Sequence, residues 1–147
     1  MYTPTVEGLT ISVWVKSDNA SAVKNAIFLA PEDGECAIRC TSTNVEFAAK
    51  LNDEAYYYLR VPSDANDTHI ACVYRKNQYL NLYRNGILVA TTNITNTGLW
   101  NTGFGFGSSI GSYYNVSDYF VGTIDDVRIY GRALSSNEVW NLSRLPY

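Results

Sequence analysis

Phe120 to Leu142, FVGTIDDVRIYGRALSSNEVWNL, constrains the fold more than any other stretch of the chain. It reads as a strand running into a short helix. Val121, Val127 and Ile129 share one side of the strand, and Phe120, Ile124 and Tyr130 the other. A strand that is apolar on both sides is normally covered on both, so the pattern predicts a place in the middle of a sheet. Gly131 interrupts the strand. Ser135, followed three residues later by Glu138, then predicts a capping box. Val139 and Leu142 fall on one helical face that can close one end of a core. This helix, expected between Ala133 and Leu145, is the only substantial one in the chain.

Upstream, short alternating runs are separated by turn residues. Leu9, Ile11, Val13 and Val15 alternate with Thr10, Ser12, Trp14 and Lys16 as in a half-buried strand. Further strands are expected at Ile27 to Ala30, Cys36 to Cys40, Val45 to Leu51, Tyr56 to Val61, His69 to Tyr74 and Tyr79 to Arg84. Asn85-Gly86 signals a type I′ hairpin into Ile87 to Thr92. Gly103 to Ile110 reads as a Gly-rich strand, and Tyr2 to Val6 as an edge strand, where Pro4 is tolerated. About ten to thirteen short strands at this spacing mean a β-sandwich. The composition agrees, with 12 tyrosines against one methionine favouring strands over a helical bundle. A length of 147 residues suits a single domain over 1–147 that buries about 70% of its unfolded surface.

Three stretches, in order, carry a resemblance. Gly122 to Val139 (GTIDDVRIYGRALSSNEV) is similar to the closing strand and helix of laminin-G-like, concanavalin A-like domains. Leu9 to Ser17 (LTISVWVKS) resembles their early strand. Thr68 to Ala90 resembles their central hairpin, with Asp67 standing where the family has Trp two positions before His69. The resemblance implies an all-β, two-sheet antiparallel jelly-roll sandwich with a short C-terminal helix. It leaves function open, because this fold hosts lectins, adhesion modules, glycosidases and virion parts.

Catalytic patterns are not evident. Glycosidases of this fold set carboxylates at i, i+2 and i+4 on one strand so that acid and nucleophile face one sugar, and no such run occurs. Asp33 and Glu35 lie in a turn, Asp125 and Asp126 alternate, and the single His69 matches a structural position of the family. Cys36 and Cys40 share a strand face about 13 Å apart, too far to bridge. Cys72 can pair with either only if the strands are neighbours, and otherwise all three are buried thiols. No C-x2-C knuckle supports a zinc site.

Asp125 falls on the face of Val121, Val127 and Ile129, so alternation predicts partial burial of a carboxylate. Such a group accepts backbone N–H bonds, pairs with a cation, or ligates a structural calcium with oxygens from nearby loops. Asp126 and Arg128, on the other face, are expected to form a surface pair. Sugar binding needs an exposed aromatic plane beside amides or carboxylates. The candidates are Tyr56 and Tyr57, Trp100 with Asn101, and Tyr113 and Tyr114 with Asn115; each of these aromatics has edge packing as its alternative. Trp14 and Trp140 read as packing residues. Asn-x-Ser/Thr triplets begin at Asn19, Asn66, Asn93, Asn115 and Asn141. Asn19, Asn66 and Asn115 lie in loops that a glycosylating host would modify if the chain is secreted.

A net charge of −3 offers no basic patch for nucleic acid or an anionic membrane. No apolar run reaches the 18 residues of a span, and no signal peptide precedes the domain. The expectation is a trimmed or mature form, or a protein released by lysis. The function expected is a non-enzymatic module recognising glycans or glycoproteins at a cell surface, located outside the cell or on a virion. The alternative is a structural subunit of a virion (decoration or fibre) or an extracellular filament, meeting copies or neighbours through the N-terminal edge.

Overall fold

The computed structural model describes residues 7–18, 24–29, 35–41, 43–51, 55–63, 66–95, 108–112 and 119–146. These form β1 (Gly8–Ser17), β2 (Lys24–Leu29), β3 (Glu35–Cys40), β4 (Asn44–Lys50), β5 (Tyr56–Pro62), β6 (Thr68–Arg75), β7 (Tyr79–Arg84), β8 (Ile87–Asn93), β9 (Ser109–Ile110), β10 (Gly122–Tyr130) and α1 (Ser136–Leu142). The strands make two five-stranded sheets, ordered β10-β1-β6-β7-β8 and β5-β4-β3-β2-β9, with antiparallel pairing throughout. The protein is a jelly-roll sandwich. The expected strand at Tyr2 to Val6 and most of that at Gly103 to Ile110 lie outside the described residues.

Period-two alternation sends one set of side chains from each sheet into a common core. Ile11, Val13 and Val15 of β1 and Ile70, Cys72 and Tyr74 of β6 meet Cys36, Ile38 and Cys40 of β3 and Val45, Phe47 and Ala49 of β4 there. The three cysteines are buried free thiols. Burial pushes the Cys40 thiol up to about 12, with Glu46 adding to the effect, and pushes Cys72 well above its usual range. As anticipated, they act as small core hydrophobes.

The outward face of the first sheet is also covered. Val139 of α1, fully buried, packs with Leu134 on Ala71 and Val73 of β6 and Tyr83 of β7, with Tyr130 and Leu142 at the margin. The capping box forms as the sequence predicts: the Ser135 side chain accepts from the Glu138 N–H while the Glu138 carboxylate accepts from the Ser135 N–H. Arg132 donates to both oxygens of Glu138, at 3.1 and 2.6 Å. The Arg132 contact, then the Ser135 N–H, holds the Glu138 carboxyl down to about 2. Thr10 Oγ1 ties this segment to β1, donating to the Arg132 carbonyl at 2.9 Å and accepting from the Leu134 N–H at 3.0 Å. The helix lies between Ala133 and Leu145 as expected, with the residues on either side serving as cap and turn. The β7–β8 hairpin turns at Asn85 (φ 50°) and Gly86 (φ 83°), as a type I′ turn requires.

Two expectations for β10 fail, each for its own reason. Among the described residues it pairs with β1 alone, at the edge of its sheet, and Val121 and Ile129 are exposed. The β1–β10 register shifts between Ser12, opposite Arg128, and Trp14, opposite Asp125. Asp126 sits at the extra residue with φ 50°, a β-bulge. Alternation therefore resets, so Ile124 and Val127 both pack on the core, and Asp125 moves to the outward, Trp14 side. Its predicted partial burial is thereby corrected, and the carboxylate is exposed.

Candidate functional site

The outward face of the second sheet differs in kind. Register aligns β3, β4 and β5 in three cross-strand rows: Lys50 and Tyr56; Ala37, Ala48 and Tyr58; Arg39, Glu46 and Arg60. Their inward neighbours, such as Cys36, Ala49 and Leu59, belong to the core, so these rows face away from it.

Tyr56 and Tyr58 are 46% and 39% exposed. Their rings are stacked 11° from parallel with centroids 6.0 Å apart. Lys50 Nζ lies 5.2 Å from the Tyr56 ring centre. The guanidinium groups of Arg39 and Arg60 lie 5.1 and 5.0 Å from that of Tyr58. The same two guanidiniums meet on Glu46, Arg39 Nη2 on Oε1 and Arg60 Nε on Oε2, the latter at 2.7 Å. Glu46 is only 3% exposed although it points outward, because long neighbours close over it. Since β4 separates β3 from β5, side chains from both can converge only above β4, and there Arg39 and Arg60 meet on Glu46. The result is an aromatic surface bordered by fixed charges, which is what a sugar's apolar face and hydroxyls require.

Of the residues named from sequence, Tyr56 lies in this patch. Tyr57 does not: strict alternation turns it inward, where it packs half-buried against the core. Trp100, Asn101, Tyr113, Tyr114, Asn19 and Asn115 lie outside the described residues, while Asn66 is exposed. Trp140 departs from its expected packing role, lying exposed with the Arg144 guanidinium 3.8 Å from its ring centre. Tyr58, Arg39, Glu46, Arg60 and Lys50 were not singled out from sequence. Their signal is the run of outward positions in three consecutive alternating strands, which becomes a site only once the register is known.

Asp125 is exposed. Its Oδ1 accepts from the Asp126 N–H at 2.7 Å, and Asp126 pairs with Arg128 at 2.9 Å, the surface pair expected. Among the described residues no three His, Cys, Asp or Glu side chains converge as for a metal. His69 is buried, its ring 5.5 Å from that of Trp14. Burial pulls it down to about 4, with Asp126 opposing and Arg128 assisting, so it is neutral near pH 7 and plays the structural part anticipated. A groove beside α1 is lined by Tyr130, Arg132, Leu134, Glu138 and Leu145. Its two charges close on each other.

A laminin-G family model, described as the concanavalin A-like lectin/glucanases superfamily, matches residues 3–140. The chain belongs to that superfamily. No curated protein sequence matches this laminin-G-like domain. Among solved structures, the CBM40 module of the Ruminococcus gnavus IT-sialidase, bound to α2,3-sialyllactose, superposes with a TM-score of 0.76. It is 21% identical, with 95% of this chain and 84% of that one covered. The serotype G botulinum neurotoxin binding domain gives 0.74 at 16% identity, with 95% of this chain and 36% of that one covered. A structure of botulinum neurotoxin type C, whose cell entry depends on interaction with two ganglioside molecules, gives 0.68 at 19% identity, covering 93% and 35%. At these identities the likeness is one of fold. No described helix is long and apolar enough to cross a membrane.

Proposed function

We propose that this laminin-G-like domain is a non-enzymatic glycan-binding module, recognising glycans or glycoproteins at a cell surface, and that the outward face of β3, β4 and β5 is its ligand surface. The observation that carries the reading is the exposed Tyr56–Tyr58 pair set beside Arg39, Glu46 and Arg60. Aromatic planes hold the apolar face of a sugar ring, and fixed hydrogen-bonding groups at its rim give orientation. The carbohydrate ligands of the sialidase module and the type C toxin support the same class of partner. Nothing in the patch is arranged for hydrolysis. The Glu46 carboxylate is buried and held by two arginines, whereas a glycosidase needs a pair of carboxylates flanking the bond. Such a module would work outside the cell or on a virion surface.

A glycan array probed with wild-type protein and with Tyr58→Ala tests this. The wild type should give reproducible hits that Tyr58→Ala loses while keeping a native circular dichroism spectrum. Hits that survive Tyr58→Ala unchanged would remove the ligand from this face.

One observation favours the structural-subunit reading. β8 ends its sheet among the described residues and exposes Ile87, Leu88 and Val89 in succession, the kind of edge that pairs with another chain. A stable oligomer by light scattering, dissociated by Leu88→Lys, would support that reading.

A further inference from the structure

Resting on the glycan-binding reading, we propose that the β3–β5 face selects sugars that carry an oxyanion, a carboxylate or a sulfate, and that Arg39 and Arg60 take the charged group. Two guanidiniums share the single carboxylate of Glu46, so within this trio one positive charge is left over. Among the described residues neither arginine meets a second carboxylate. Arg39 Nε is buried without a hydrogen-bond partner. Arg60 gives Nε to Glu46 and its side chain is 54% exposed. Its two terminal nitrogens are therefore the part of the fork left for a ligand, in the end-on geometry that matches a planar carboxylate or a sulfate edge.

The arrangement is also pre-set. Glu46 is buried and cannot swing out to compete for solvent or ligand, so it acts as a fixed counter-ion that aims both arginines. Their contact with the Tyr58 ring, 5.1 and 5.0 Å from its centre, restrains two otherwise flexible side chains before any ligand arrives, which lowers the entropic cost of binding. Along the strands the Ala37–Ala48–Tyr58 row lies between the Arg39–Glu46–Arg60 row and the Lys50–Tyr56 row. The outer rows are about 13 Å apart and the Tyr58 ring fills the step between them. Aromatic surface and charge therefore adjoin, and a sugar lying over Tyr56 and Tyr58 has the Arg60 guanidinium at its edge. The rest of the chain is acidic, with a net charge of −3, so this positive spot is local and does not make the protein a general binder of polyanions.

Calorimetric titration with lactose, α2,3-sialyllactose and 3′-sulfated lactose tests the proposal. Wild type should prefer one or both acidic forms over lactose by at least about tenfold, the scale of a charge-assisted hydrogen bond. Preference for the sialylated form identifies the carboxylate as the recognised group, and preference for the sulfated form identifies the sulfate. Arg60→Gln, at an exposed position, should abolish the preference. Glu46→Gln, which raises the positive charge but releases the arginines, should weaken acidic-sugar binding, whereas simple charge attraction would strengthen it. Equal binding of lactose and its acidic forms would overturn the proposal and leave the glycan-binding reading standing. No binding of any glycan on a broad neutral and acidic panel would overturn both. Equally tight binding of duplex DNA, insensitive to Tyr58→Ala, would show general anion attraction and overturn sugar selection.

Discussion

The two sheets present outward faces that have been put to opposite uses. On the first, β6 and β7 carry Ala71, Val73 and Tyr83 outward, and Leu134 and Val139 fold over them, so the face is a second small core. On the second, β3, β4 and β5 carry Arg39, Glu46, Lys50, Tyr56, Tyr58 and Arg60 outward, and the two tyrosines remain exposed. Apolar outward residues need a cover, and the capped C-terminal helix supplies it. Aromatic and charged residues held by one another need none, and they leave a surface ready to meet a ligand. Burial of Glu46 on the open face shows that a fixed charge can be built without a lid. It is enclosed by the side chains it orders.

The largest effect expected on the covered face is one of pH. His69 is drawn down to about 4 from an ordinary 6.5, chiefly by burial. The unfolded chain then binds the proton first, so stability should be undiminished above pH 6.5, fall as pH drops from there toward 4, and level below that. The loss amounts to about 3 kcal/mol. Urea unfolding of wild type and His69→Gln across this range isolates it, because other carboxylates titrate alike in both. Parallel curves for the two proteins would mean that His69 is not protected on that face.

Next comes a pair of truncations that should separate the faces. Val139→Ala opens a cavity under α1 and should cost about 2 kcal/mol without changing glycan binding. Tyr58→Ala should cost at most about 1 kcal/mol of stability and remove binding. Denaturant midpoints and glycan titration on both variants check this, and loss of binding in Val139→Ala with the fold intact would dissolve the contrast.

The smallest effect concerns the bulge. Asp126→Ala loses the Arg128 pair and places alanine at φ 50°, which should cost about 1 kcal/mol. Asp125→Ala, at an exposed carboxylate, should stay within about 0.5 kcal/mol. Larger loss at Asp125 in the same unfolding assay would restore the buried phase that simple alternation predicts.

Much of the fold was legible because its signals are local. The 85–86 turn, the Ser135–Glu138 capping box and the alternation of β1, β4 and β5 each depend on residues a few positions apart, and the motifs at Leu9, Thr68 and Gly122 named the architecture. The bulge was not legible, since one extra residue reverses every face beyond it and aspartate tolerates positive φ without advertising it. Tyr57 was misplaced for a related reason: three consecutive tyrosines look equivalent until the sheet decides which of them face outward. Arg39, Glu46 and Arg60 form a site through cross-strand register, and neighbours 7 and 14 residues apart leave no motif.

The central claim is where the ligand sits, and amide chemical-shift mapping with an oligosaccharide that binds in the titrations tests it most directly. Saturable shifts confined to β3, β4 and β5, strongest around Glu46, Tyr56, Tyr58 and Arg60, with the amides of α1 and β10 unmoved, are the expected result. Shifts centred instead on α1, β10 or the segment around Gly111, with the β3–β5 amides unmoved, would contradict the account.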